Sequence, residues 1–134
     1  MKIILRSTDE ELGYEGTNDR GQTTRFSGSQ KAVSPMETVL MAAAACSSID
    51  VEIFLKKMRS PANRVEVEVE GNRVDAVPSV FEKMHLHYKI YGDVKESKAE
   101  KAVAMSMDQY CSVSLMLKAA FEITYSFEVL AKAA

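Results

Sequence analysis

SPMETVLMAAAACSSIDVEIFLKK, residues 34–57, opens with a helix-start signal. Ser34 caps, Pro35 suits the first helical position, and Glu37 completes a Ser-x-x-Glu capping box. No residue in 38–49 is charged, so nearly every side of this segment is expected to face protein rather than water. The run is too short to span a bilayer, and it predicts a buried central helix. Cys46 sits in its middle, after Ala42, Ala43, Ala44 and Ala45. Four small side chains let neighbouring backbone approach closely and leave space around one sulfur. Charge returns at Asp50, Glu52, Lys56 and Lys57, so the distal end reaches the surface.

Working outward, residues 1–33 read as short strands and turns. Ile3 and Leu5 alternate with Lys2, Ile4 and Arg6, Leu12 and Tyr14 flank Gly13, and residues 16–21 are dense in turn formers. Residues 22–27 form a third strand with Phe26 turned inward, which predicts an antiparallel meander. Beyond the helix, residues 60–63 break the pattern. Residues 65–70 then alternate valine with glutamate, a strict period-two strand. Residues 71–79 read as a polar loop. Residues 80–91 form a second long strand, with Met84, Leu86, Tyr88 and Ile90 on one face and Lys83, His85, His87, Lys89 and Tyr91 on the other. The two histidines make a metal site conceivable, but the lysines beside them oppose a cation and favour a solvated face or a partner contact.

Residues 96–109 are expected to be helical, with Asp93 as N-cap, Glu96 completing its box, and Ser97-x-x-Glu100 as a second candidate box. Residues 112–120 predict another short helix. In residues 121–130, Phe121, Ile123, Tyr125, Phe127 and Val129 alternate with polar residues as a closing strand, and the last residues form a short tail. Three strands, a helix, two strands, a helix pair and a strand make an α+β chain. One molecule offers few layers to cover so apolar a helix, so a homodimer with an extensive interface is expected.

At 134 residues with no internal repeat and no long linker, one domain is the default. A net charge of −2 without a basic patch argues against a nucleic-acid binder. The N-terminus lacks a secretory pattern, which predicts a cytoplasmic protein not associated with a membrane. In that compartment the two cysteines are not expected to be a structural staple, and they lack zinc-ligand spacing. Eight methionines and no tryptophan suit an adaptable apolar interior. Burial is expected to raise the pKa of Cys46, and an ionised Asp50 one turn on would add to this. Cys111 begins a helix, where free N–H groups favour a thiolate. Chemistry at Cys46 requires a donor such as Arg20, Arg25, Arg59, Arg64 or Arg73. Gly-x-Ser-x-Gly, phosphate-loop and dinucleotide motifs are absent.

Ser34-Pro35 leading through the alanine-rich helix to Cys46, and Tyr110-Cys111-Ser112-Val113-Ser114 before a closing strand, resemble the superfamily of osmotically inducible protein C (OsmC) and organic hydroperoxide reductase. The resemblance covers nearly the whole chain. It implies an OsmC-like α+β fold over residues 1–134 as a single domain, with antiparallel sheets around a buried central helix in an intertwined homodimer. It implies a thiol-dependent peroxide reductase acting on organic hydroperoxides in oxidative stress defence, without metal or organic cofactor. Cys46 would attack the peroxide and become a sulfenic acid, and Cys111 would condense with it to a disulfide. A dithiol, in the family often a lipoyl group, would reduce that bond. Three positions depart from the family. Met36 stands where its catalytic glutamate lies, with Glu37 next to it. Arg20 occupies a turn comparable to the one that carries its arginine. Ser112 replaces the usual proline. These departures resemble a less characterised branch and keep a second reading in view, a small-molecule binding or redox-sensing module on the same fold.

Overall fold

The computed structural model describes residues 1–131; the expected C-terminal tail lies outside the described residues after Ala131. The chain divides into two units, Met1–Val39 and the residues from Leu40 onward.

The first unit is the expected meander. Strands β1 (Ile4–Ser7), β2 (Gly13–Thr17) and β3 (Thr23–Ser27) pair antiparallel in the order β1-β2-β3. The β2–β3 turn is built by Asn18, whose Oδ1 accepts from the backbone N–H groups of Arg20 and Gln22, both at 3.0 Å. Gly21 supplies the positive φ, 79°, that such a turn needs. Phe26 is half-buried, while Ile3, Leu5 and Tyr14 remain exposed, so the meander carries apolar surface that it does not itself cover.

Helix α1 (Pro35–Lys57) begins as expected. Ser34 N–H donates to Glu37 Oε1 at 2.9 Å, and Glu37 N–H donates to Ser34 Oγ at 3.2 Å, a reciprocal capping box. Those bonds hold the Glu37 carboxyl below its ordinary pKa, the backbone donor first. The buried surround expected for this helix is only half present. Ala43, Ser47, Val51 and Leu55, spaced four apart, are fully buried; Met41, Ala45, Ile49 and Ile53, also spaced four apart, are exposed. The two stripes are offset by two residues and so lie on opposite faces. At 23 residues α1 is also long and apolar enough to cross a membrane by length and composition. Its buried polar groups, however, bond to other elements of the chain. The helix ends in a left-handed residue, Arg59 at φ 58°, where Ser60 N–H reaches back to Leu55 O.

Strands β4 (Arg64–Arg73), β5 (Phe81–Tyr91) and β6 (Glu122–Leu130) form the second sheet in that order. The strand expected to stop at Glu70 continues through Gly71. A side chain there would meet Phe81 Cε1 at 2.6 Å and Leu40 Cδ2 at 2.9 Å, so glycine permits a close approach where the sequence suggested a loop. β4 and β5 are antiparallel, but β5 and β6 are parallel, which corrects the expectation of antiparallel sheets. The reason is the helical crossover between them, which returns the chain to the same end of the sheet.

Met84, Leu86, Tyr88 and Ile90 are buried as expected. On the outer face a ladder runs across β5 and β6. His85 bonds Thr124 Oγ1 and Ser126 Oγ through its two nitrogens, and His87 bonds Ser126 Oγ and Glu128. Among the described residues no group of three or more His, Cys, Asp or Glu is gathered to hold a metal. In β6 the expected inward residues, from Ile123 to Val129, are half-buried, and so are Ser126 and Glu128, which the ladder partly covers.

The crossover comprises helix α2 (Glu96–Met105), a π-helical turn (Ser106–Tyr110) and helix α3 (Ser112–Lys118). The expected N-cap at Asp93 is not used. Lys95 is the N-cap, without a side-chain bond, and its carbonyl accepts from Lys98 and Ala99 N–H. Neither Glu96 nor Ser97-x-x-Glu100 completes a box there, because both already lie within the helix. The expected continuous helix to Gln109 widens instead into the π turn, a feature that recurs at functional sites.

Candidate functional site

Cys46 lies on α1 and Cys111 between the π turn and α3; both are free thiols. The burial expected of Cys46 is only partial, since Cys46 is half-buried, whereas Cys111 is fully buried. Cys111 is the N-cap of α3, with extended backbone, and its sulfur accepts from Ser114 N–H at 3.4 Å. The helix start was expected to favour a thiolate. Burial outweighs it and pushes the Cys111 thiol above its ordinary pKa. The Ser114 hydroxyl and amide pull the other way, while the neighbouring Cys46 thiol, by hydrogen bonding and charge, pushes it further up.

Behind the sulfurs lies a buried polar chain that the sequence reading missed. Ser47 Oγ is 2.8 Å from Ala43 O and 2.6 Å from the Tyr88 hydroxyl. Tyr88 also reaches Met107 Sδ at 3.3 Å, Ser114 Oγ lies 3.6 Å from the same sulfur, and Cys111 Sγ is 3.2 Å from Ser114 Oγ. Ser47, Tyr88, Met107, Cys111 and Ser114 are all fully buried. Burial raises the Tyr88 phenol well above its ordinary range; Ser47 opposes this, and Cys111, Asp50 and Cys46 add to it. By alternation alone Tyr88 is one more residue of an apolar face. The available signal was that a phenol and a serine on buried stripes each require a partner.

Asp50, one turn beyond Cys46, accepts from Ser106 Oγ at 3.0 Å, and Ser106 also donates to Ser47 O at 3.2 Å. The π turn is thus fastened directly to α1. Phe54 and Tyr110 add an edge contact with centroids 5.3 Å apart. Next to them is a groove of about 290 Å³ lined by Phe54, Lys57, Met58, Lys101, Met105 and Tyr110.

The candidate activating groups are mostly committed elsewhere. Glu37 is in the capping box. Arg64 pairs with Glu66 at 2.9 Å and covers the Tyr91 ring, and Arg73 donates to Ser79 O. Arg59 lies more than three helical turns beyond Cys46, roughly 20 Å along the axis and out of reach. In the first unit, Arg20 donates to Gln22 Oε1 and Arg25 faces Glu15 at 3.5 Å.

The sequence profile of the family described as OsmC-like protein matches residues 28–126. Protein YhfA of Escherichia coli K12 is 41% identical over 125 residues, covering 91% of this chain and 93% of that protein. A hypothetical protein of Aquifex aeolicus VF5, of known crystal structure, is 28% identical with a TM-score of 0.89, over 98% of this chain and 97% of that one. An organic hydroperoxide resistance protein OsmC of Legionella pneumophila shares the fold, at a TM-score of 0.72 and 16% identity, over 96% of this chain and 97% of that one.

Proposed function

The chain belongs to the OsmC-like protein family, and from that premise we propose that it is a thiol-dependent peroxide reductase acting on organic hydroperoxides through Cys46 and Cys111. The observation that carries this reading is two free thiols of unequal burial, one of which acts on the ionisation of the other. The half-buried Cys46 is the one a substrate can approach. Its sulfur attacks a peroxide oxygen, the S–O bond forms, the O–O bond breaks, and the alcohol leaves with a proton. Cys46 is then a sulfenic acid. Cys111, kept protonated by burial until needed, attacks that sulfur; the S–S bond forms and oxygen leaves as water. A dithiol reductant of the lipoyl type restores both thiols and is itself oxidised.

The exposed apolar stripe of α1 supports a homodimer in which a second copy covers it. A cytoplasmic setting fits two thiols kept reduced. Residues 1–134 act as one functional domain in this reading.

A second reading keeps the fold and the thiols but not efficient turnover, as a small-molecule binding or redox-sensing module. It is favoured by Met36, where the family carries its glutamate, and by the engagement of Glu37 in the cap. Peroxide consumption separates the two. Reduced protein is mixed with cumene hydroperoxide or hydrogen peroxide under excess dithiol, alongside Cys46→Ser and Cys111→Ser. Multiple turnovers that prefer the organic peroxide and vanish in Cys46→Ser are the expected result. Absence of turnover, with neither thiol oxidised faster than a free thiol, leaves the second reading.

A further inference from the structure

The Ser114 hydroxyl stands between two sulfurs, Cys111 Sγ at 3.2 Å and Met107 Sδ at 3.6 Å, and all three residues are fully buried. A hydroxyl has one proton to give and lone pairs to accept with, whereas a thioether only accepts, and weakly. While Cys111 is a thiol, the bonds run in one direction: the thiol donates to Ser114 Oγ, and Ser114 donates to Met107. All three side chains are closed off from bulk solvent.

We propose that Ser114 is a reversible donor to the resolving thiol, with Met107 holding its hydroxyl proton at rest and Cys111 receiving it once the sulfur becomes an anion. This rests on the reading of Cys111 as the resolving cysteine. The reversal is a rotation about the Cβ–Oγ bond that moves one hydrogen and no heavy atom. It exchanges a weak thioether bond for a charge-assisted one, which is about twice as strong as a neutral bond. Met107 is pinned from its other side by the Tyr88 hydroxyl at 3.3 Å. Because a thioether has no proton to pass on, the chain is not a proton wire towards Tyr88. The Cys111 proton therefore leaves with the sulfenic oxygen as water when the S–S bond forms and the S–O bond breaks.

The proposal makes opposite predictions for the two neighbours of the hydroxyl. In a Cys46→Ser background, the Cys111 thiolate is titrated by its ultraviolet absorbance. Ser114→Ala removes the donor, and the thiolate fraction at a fixed pH below the midpoint is expected to fall about tenfold. Met107→Leu removes the resting acceptor, destabilises the thiol form and is expected to raise that fraction. Ser114→Thr restores the hydroxyl and returns the midpoint towards the parent value. A structural role alone would not move the two variants in opposite directions. Midpoints that do not move, or that move the same way in Ser114→Ala and Met107→Leu, overturn the assignment.

In the parent background, single-turnover kinetics follow the chemistry. Ser114→Ala is expected to leave sulfenic acid formation at Cys46 unchanged and to slow disulfide formation about tenfold. Opposed titration shifts in a protein that consumes no peroxide would sustain the donor role and defeat the reductase reading. Turnover with unmoved midpoints would do the reverse. Should Ser114→Ala fail to fold, Met107→Leu and Ser114→Thr still decide the matter by the same titration.

Discussion

Cys111 and Tyr88 are both held in their protonated forms, chiefly by burial. The unfolded chain loses these protons first, at about pH 8.5 for a thiol and about pH 10 for a phenol. Above those values the unfolded state binds fewer protons than the native state, so stability falls as pH rises. Urea midpoints measured across the alkaline range are expected to be level below the ordinary thiol range and to decline beyond it. Cys111→Ala should delay the onset of that decline to the phenol range. Tyr88→Phe leaves Ser47 and Met107 without the hydroxyl that joins them, and should cost about 1 kcal/mol in urea unfolding at neutral pH. Cys46 and Cys111 were legible in the sequence as residue types in distinctive segments, and Cys46 is among the groups that push the Cys111 thiol up. The joining residues were not legible. Periodicity reports the side of a strand on which Tyr88 sits, but not that Ser47, on a distant helix, waits for its hydroxyl.

On α1 the sequence signals were local and therefore readable. Ser34, Pro35 and Glu37 lie within one turn of each other, and the capping box they predict is formed. Ser34→Ala should lower stability by about 1 kcal/mol in urea unfolding. Glu37→Gln keeps a side chain able to cap, so if Glu37 only caps, stability and peroxide consumption should both survive the change. A large loss of turnover with stability retained would assign the carboxylate to the chemistry instead. At the other end, left-handed Arg59 invites substitution. Arg59→Gly should raise the urea midpoint, because glycine adopts that conformation without strain. The elements misjudged from sequence were those decided by distant neighbours. β4 runs on through Gly71 because Phe81 and Leu40 crowd that position. α2 opens into a π turn whose Ser106 is tied to Ser47 and Asp50. α2 starts on a backbone cap at Lys95 rather than on Asp93, and nothing in the contacts explains that choice.

For the molecule as a whole, the two stripes of α1 separate what is packed into the chain's own core from what is left exposed. Met41, Ala45, Ile49 and Ile53 contribute little to the core of their own chain, so under the proposed homodimer Ile49→Glu should give a monomer where the parent chain gives a dimer in size-exclusion chromatography with light scattering. Val51→Ala, from the opposite stripe, should instead lower stability by a few kcal/mol, about 2 in a well-packed site. The parallel pairing of β5 with β6 bears on the order of events during synthesis. β4 and β5 can meet across a short connection, but β6 must wait until the intervening crossover has closed, and long-range pairings of that kind form slowly. Cys111 rides on that crossover. Cys46, on α1, is separated from it in the chain by β4, β5 and α2. On the proposed two-thiol cycle, a bridge between Cys46 and Cys111 would join α1 to the crossover, so its formation would report that the last strand has been brought into place.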